Sequence, residues 1–127
     1  MAYDRSIIGD KSYAFALRIV ETYKILVNRE KEFILSKQVL RSGTSIGANV
    51  AEANGAISSA DFSAKISISY KEAIETKYWL RLLKDSNYLK ETEYEALNDD
   101  IEEICKILFA ILKKTRLNQQ SSVNSNQ

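Results

Sequence analysis

Histidine and proline are absent from the 127-residue sequence, which has one cysteine and four glycines. Without histidine the chain lacks the commonest general base and metal ligand, so serine–histidine and cysteine–histidine catalytic pairs and ordinary zinc sites are excluded. A single cysteine excludes an internal disulfide, which fits a reducing cytoplasm. The missing proline and scarce glycine favour long, uninterrupted helices. We therefore expect a cytoplasmic protein that is not an enzyme and has no cofactor or metal site.

No segment approaches the roughly 20 consecutive apolar residues of a membrane span, and the first ten residues lack the apolar run of a signal peptide. Apolar residues make up 45% of the chain and charged residues 28%, a balance typical of a soluble globular domain. We expect no membrane partner. The composition predicts one domain over residues 1–117, followed by a disordered polar tail over residues 118–127.

Apolar residues recur at intervals of three and four in four segments, which predicts four amphipathic helices. The segments cover about residues 11–27, 35–54, 58–83 and 92–117. The predicted core stripes are Tyr13, Leu17, Val20, Tyr23 and Val27; Val39, Gly43, Ile46 and Val50; Phe62, Ile66, Ser69, Ala73, Leu80 and Leu83; and Leu97, Ile101, Ile104, Cys105, Leu108, Ile111 and Leu112.

Capping-box patterns, Ser58 with Asp61 and Thr92 with Glu95, predict where the third and fourth helices begin. The connections between the four helices are short, which favours neighbours that run in opposite directions. The sequence therefore predicts an all-α, antiparallel up-down-up-down four-helix bundle.

The stretch RSGTSIGANVAEANG, residues 41–55, contains three of the four glycines. A phosphate-binding loop would need a Lys-Ser or Lys-Thr pair after a strand, but this stretch contains no lysine and has helical periodicity. Gly43, Gly47 and Ala51 recur every four residues and form a small-residue ridge on one helix face. We predict a close helix–helix contact at this ridge, with a helix of the same chain or of a neighbouring subunit.

A polar row runs beside the small-residue ridge. It consists of Arg41, Ser45, Asn49 and Glu52. Such a row is either a solvated face or a hydrogen-bonded network. If the second and third helices form a hairpin, Glu72 or Glu75 lies opposite Arg41, and we predict an Arg41–Glu75 ion pair. We also predict that the polar row lines or braces a subunit interface.

The net charge of +1 is not that of a dedicated nucleic-acid-binding protein. Five basic residues nevertheless converge at one end of the predicted bundle, with few acids nearby: Lys11, Lys65, Lys113, Lys114 and Arg116. The last three also suit the dipole at the end of a helix. A ring oligomer would repeat this patch and gain affinity for phosphates. These residues are the candidate nucleic-acid-binding set.

The residues of the polar row also resemble a family pattern. The 23S rRNA intervening-sequence protein family has an Arg-x-x-x-Ser-Ile-x-x-Asn-Ile-Ala-Glu-Gly stretch. The matching positions are Arg41, Ser45, Ile46, Asn49, Ala51 and Glu52. Val50 replaces the usual isoleucine, and Ala53 stands where glycine is usual. Glu75 matches a glutamate in the family's third helix, and the resemblance covers roughly residues 10–116.

The resemblance implies a four-helix bundle with no established enzymatic activity. The family is similar to the accessory variability determinant of diversity-generating retroelements, a pentameric bundle that binds nucleic acid and a reverse transcriptase. The resemblance therefore implies a homo-oligomer, a pentamer by analogy, with RNA or DNA and a further protein as possible partners. Two hypotheses remain open: a nucleic-acid-binding accessory module, and a protein-assembly scaffold with no nucleic-acid role.

Overall fold

The computed structural model describes the backbone of residues 2–125 and the side chains of residues 7–116. The helices are α1 (Ala2–Asn28), α2 (Leu35–Asn54), α3 (Ser59–Asp85) and α4 (Glu91–Ser125). The described backbone contains no strand, so the predicted all-α class is confirmed. The four helices pack as a bundle around one hydrophobic core. Each helix contacts two others, and α1 and α4 are the least closely packed of the neighbouring pairs.

Helix α1 buries a different face from the one predicted. Tyr13 and Leu17, assigned to its core stripe, are 67% and 54% exposed. The side chains that enter the core are Ile8, Ser12, Phe15, Ile19, Thr22 and Leu26. The hydroxyls of Ser12 and Thr22 donate to the carbonyls of Gly9 and Arg18 on the same helix, which satisfies them in the core. Because these two polar residues interrupt the buried stripe, its periodicity is hidden in the sequence.

Helix α2 begins at the predicted residue, Leu35, and is capped by a carboxylate that the sequence analysis did not single out. Glu32 Oε1 accepts hydrogen bonds from the backbone amides of Ile34, at 3.1 Å, and Ser36, at 2.7 Å. The backbone turns between α1 and α2 at Lys31, whose φ of 55° lies in the left-handed region. A negative charge at a helix N-terminus is favourable, so Glu32 stabilises the start of α2.

Helix α3 begins as predicted, because the Ser58 hydroxyl accepts a hydrogen bond from the Asp61 amide. The predicted capping box of α4, Thr92 with Glu95, is wrong by two residues. Glu93 Oε1 instead accepts from the Lys90 amide at 2.9 Å, so the helix begins at Glu91. Glu93 is three residues after the residue that it caps, which is the spacing of a capping box.

Helix α4 continues to Ser125, beyond the predicted helix end at residue 117. No glycine or proline follows Gly55, so nothing in the sequence interrupts the helical hydrogen bonds there. The backbone over most of the predicted tail, residues 118–127, is thus helical. The side chains beyond Arg116, and all of residues 126 and 127, lie outside the described residues.

Candidate functional site

The small-residue ridge packs against α1 of the same chain. A Cβ atom on Gly43 would lie 2.8 Å from Ile19 Cγ1, and a Cβ atom on Gly47 would lie 3.3 Å from the Ser12 carbonyl oxygen. The predicted close helix–helix contact is therefore present at both glycines. Ala51, the third member, is exposed and takes no part in the close packing.

Arg41 forms the predicted ion pair with Glu75 and a second one with Glu72, where Nη1 and Oε2 are 3.2 Å apart. The Trp79 indole N–H donates to the same Glu75 carboxylate at 2.8 Å. We call these four residues the Arg41 cluster. The cluster joins the outer faces of α2 and α3, and it draws its acids from α3 alone.

Hydrogen bonds hold Glu75 in its charged form. The bond from Trp79 and, next, the bond from Arg41 lower the pKa of the Glu75 carboxyl, against the opposing effect of desolvation. The bond to Glu75 in turn raises the pKa of the Arg41 guanidinium. Trp79 was not among the predicted site residues, although its position four residues after Glu75 puts both on one face of α3.

Two further members of the polar row, Ser45 and Asn49, donate to backbone carbonyls of their own helix rather than to other side chains. The Ser45 hydroxyl donates to the Arg41 carbonyl at 2.6 Å, and the Asn49 side-chain amide donates to the Ser45 carbonyl at 2.8 Å. Glu52 lies 3.6 Å from Lys65 of α3. The polar row is therefore not one continuous network, and its role at a subunit interface stays a prediction.

Two of the five candidate nucleic-acid-binding residues are paired with acids of the same chain. Lys11 forms an ion pair with Glu103, and Lys65 pairs with Glu52. The expectation that few acids lie nearby is wrong at these two positions, because Glu103 of α4 and Glu52 of α2 each face a neighbouring helix.

The other three candidates, Lys113, Lys114 and Arg116, are exposed and lie within one turn of α4. In the sequence, no acidic residue follows Glu103, whereas Lys106, Lys113, Lys114 and Arg116 do. Residues 104–116, which we call the basic half of α4, therefore carry four basic side chains and no acidic one. Its charge does not depend on the two paired lysines.

An aromatic pair lies beside this basic half of α4. The rings of Tyr70, on α3, and Phe109, on α4, have centroids 6.0 Å apart and are tilted by 45°. Phe109 lies four residues before Lys113 in the sequence, but Tyr70 is distant in sequence and only the packing of α3 against α4 brings it to Phe109. Phe109 is 53% exposed.

The chain was compared with known proteins. The family of 23S rRNA-intervening sequence proteins matches residues 5–110. The chain belongs to this family. Among solved structures, it is similar to a protein with unknown function from the S23 ribosomal protein family of Bacteroides thetaiotaomicron VPI-5482. The two have a TM-score of 0.85 and 54% sequence identity over 87% of this chain and 98% of the other. None of the curated proteins matches the chain.

In this intervening-sequence family member, two acids of the first half of α4 lie in ion pairs. Asp100 Oδ2 is 2.7 Å from Arg18 Nη1, and Glu102 Oε1 is 2.7 Å from Lys77 Nζ. Among the described side chains, no three cysteine, aspartate or glutamate residues are arranged to hold a metal ion. Cys105 is buried, and its burial raises the pKa of the thiol. None of the helices, as far as they are described, is long and apolar enough to cross a bilayer.

An apolar groove of about 340 Å³ separates α1 from the first turns of α4. The residues that line it include Leu17, Thr22, Ile25, Leu89 and Leu97. Ion pairs bridge the groove: Arg18 with Asp100, and Arg29 with Glu93, which are 3.0 Å apart. The groove explains why α1 and α4 pack less closely than the other pairs.

Proposed function

We propose that this family member is a non-enzymatic, homo-oligomeric helical module that binds structured nucleic acid, RNA or DNA, as an accessory factor in the cytoplasm. The observation that carries the proposal is the basic half of α4, where Lys113, Lys114 and Arg116 are exposed and no acidic residue follows Glu103. Such a surface supplies the sequence-independent attraction to phosphates on which most nucleic-acid binding rests. The family name, which refers to an intervening sequence of 23S rRNA, is consistent with this role.

The proposed architecture is the antiparallel up-down-up-down bundle. Ion pairs between neighbouring helices support it, because the first half of one helix pairs with the second half of the next, and the reverse. Arg41 near the start of α2 pairs with Glu75 in the second half of α3, and Glu52 near the end of α2 pairs with Lys65 near the start of α3. In the same sense, Lys77 pairs with Glu102.

Homo-oligomerisation is supported by an apolar surface on α1 that the monomer leaves uncovered. Tyr13 and Leu17 lie four residues apart and are both more than half exposed. Since α1 has a separate, fully buried core face, this second stripe is available for another subunit. The similarity of the family to the accessory variability determinant of diversity-generating retroelements suggests a pentamer and a protein partner. We expect Leu17→Glu to reduce the sedimentation coefficient while the protein remains helical.

The alternative function is a protein-assembly scaffold with no nucleic-acid role. Lys11 and Lys65 favour this alternative, because their charges are already balanced by Glu103 and Glu52. In a scaffold, the charges of α4 would serve only solubility.

Salt-dependent binding separates the two functions. We would measure fluorescence anisotropy of a labelled RNA hairpin from 50 to 300 mM salt, with the wild type and the triple variant Lys113→Ala, Lys114→Ala, Arg116→Ala. A binding module loses affinity as salt rises, and the triple variant should lower the log–log slope by about 2 to 3. Lys11→Ala is the matched control, because this lysine is already paired. No binding to the hairpin or to duplex DNA at 50 mM salt would favour the scaffold.

A further inference from the structure

Two rows of side chains face each other along the contact between α3 and α4. Residues of α4 that repeat every three or four positions share one face; they are Glu102, Lys106, Phe109, Lys113 and Arg116. The facing row of α3 is Ser63, Ser67, Tyr70, Ile74 and Lys77. The register is fixed at two points, by the Lys77–Glu102 ion pair of 2.7 Å and by the Tyr70–Phe109 ring pair. We call this surface the α3/α4 seam.

The middle of the α3/α4 seam is apolar and open. Phe109 is 53% exposed and Ile74 is 44% exposed, whereas Tyr70 packs partly against the core. Tyr70 therefore supports the Phe109 ring from one side and leaves its other surface accessible. An exposed ring held by a second ring is a surface on which a planar group can stack.

Cations flank the aromatic pair on the α4 side. Lys106 precedes Phe109 by three residues and Lys113 follows it by four, which places them about 4.5 and 6 Å away along the helix axis. Both lysines are exposed, and neither forms an ion pair with any side chain of residues 7–116. The register places the small residues Ser67 and Ser63 opposite Lys113 and Arg116. The α3 residues opposite this part of the row are therefore small and uncharged.

We propose that the α3/α4 seam binds unpaired nucleotides: one base stacks on Phe109, and Lys106 and Lys113 contact the phosphates on either side of it. The inference rests on the proposed nucleic-acid binding and specifies its site and substrate class. A positively charged track with an aromatic platform is the arrangement by which proteins bind single strands without sequence preference. The adjacent cations favour a polyanion over an apolar protein partner. Stacking needs a free base face, which favours single-stranded segments and loops over a duplex.

Oligonucleotides with and without bases test the stacking step. The probes are a fluorescein-labelled 12-nucleotide oligouridylate, a strand of equal length made of abasic sites, and a 12-base-pair RNA duplex. With the wild type, we expect the oligouridylate to bind at least tenfold more tightly than the abasic strand. Phe109→Ala should weaken oligouridylate binding about tenfold and leave the abasic strand unaffected. Phe109→Trp should restore the affinity, because indole also stacks.

Two further variants separate stacking from charge. Lys106→Ala with Lys113→Ala should lower the salt slope for oligouridylate by about 1.4, whereas Phe109→Ala should leave that slope unchanged. Phe33→Ala removes an equally exposed aromatic ring, 53% exposed, from the connection between α1 and α2, and should not alter binding.

Different results would contradict the stacking site and the proposed nucleic-acid binding. Equal binding of oligouridylate and abasic strand, or an unchanged affinity in Phe109→Ala, overturns the stacking site but leaves the proposed function intact if the duplex is bound in a salt-dependent manner. Absence of binding to all three probes at 50 mM salt overturns the proposed function itself. If Phe109→Ala reduces the sedimentation coefficient without changing binding, the seam is an interface between copies and the inference is wrong.

Discussion

A Cβ atom on Gly43 would lie 2.8 Å from Ile19 Cγ1 and 2.9 Å from Ile19 Cγ2, so the α2 backbone lies directly on a side chain of α1. Ile19 is fully buried, so any shift of its side chain disturbs the packing of the core. Glycine costs an α-helix about 1 kcal/mol relative to alanine, and the contact with Ile19 is the compensating gain.

Gly43→Ala should therefore destabilise the protein, although alanine favours helix. Overpacking typically costs about 1–3 kcal/mol, which exceeds the gain in helix propensity. Urea denaturation measures the net change in the free energy of unfolding. In an Ile19→Ala background the clashing atoms are absent, and the same substitution should be neutral or stabilising. An equal loss in both backgrounds would contradict the assignment of the clash to Ile19.

Gly47→Leu should lower thermal stability without changing the oligomeric state. The Cβ of residue 47 faces the Ser12 carbonyl of the same chain at 3.3 Å, so a larger side chain pushes α2 from α1 at a cost of about 1–3 kcal/mol. Thermal melting and sedimentation velocity check the two parts. A shift to smaller species with unchanged melting would mean that this ridge faces a neighbouring subunit instead.

Ser36→Ala and Ser42→Ala should have opposite effects. Both serines are fully buried on α2, but the Ser36 hydroxyl finds no hydrogen-bond partner among the described residues, whereas the Ser42 hydroxyl is 2.9 Å from that of Thr76. Removing an unsatisfied buried hydroxyl should stabilise by about 1 kcal/mol. Ser42→Ala loses a buried hydrogen bond and should destabilise by about 0.5–1 kcal/mol, because the Thr76 hydroxyl keeps the Glu72 carbonyl, at 2.8 Å, as its acceptor. Urea denaturation of the two variants side by side tests the difference, and equal effects would contradict it.

Glu75 should make stability depend on pH in the acid range. Its pKa is lowered in the folded state, so its contribution is fully present above the ordinary glutamate pKa of about 4.3 and is lost as the pH falls through the lower, folded value. Trp79 is the only tryptophan, so its fluorescence reports the protonation of this carboxylate. Arg41→Ala should raise the midpoint of the fluorescence titration, and Glu75→Gln should abolish it. A midpoint that is unchanged by Arg41→Ala would show that the pair does not stabilise the carboxylate.

The sequence predicted the fold class and three of the four core stripes because enough apolar residues in them repeat at helical spacing. On α2, for example, Val39, Ile46 and Val50 repeat at helical spacing and are all buried. The stripe of α1 was misassigned because two hydroxyl residues, Ser12 and Thr22, satisfy themselves on their own helix and enter the core. Periodicity cannot distinguish such residues from solvated ones.

The part of the candidate site that lies on a single helix hairpin could be predicted from the sequence. Arg41 and Glu75 could be paired because they lie at similar distances in sequence from the connection between α2 and α3. The Tyr70–Phe109 pair and the neutralisation of Lys11 by Glu103 depend on the rotation of α4 against its neighbours, which short connections do not specify. Trp79 lies four residues after Glu75 in the sequence. The hydrogen bond from its indole N–H could be inferred only once the position of the Glu75 carboxylate was known.

The groove between α1 and α4 has a dynamic consequence. These two helices are the least closely packed of the neighbouring pairs, and part of their attraction comes from ion pairs such as Arg18 with Asp100, which salt screens. Local opening therefore costs less free energy here than at the other helix contacts. In native-state hydrogen exchange, α1 and α4 should lose amide protection before α2 and α3, and raised ionic strength should speed their exchange more than that of α2 and α3.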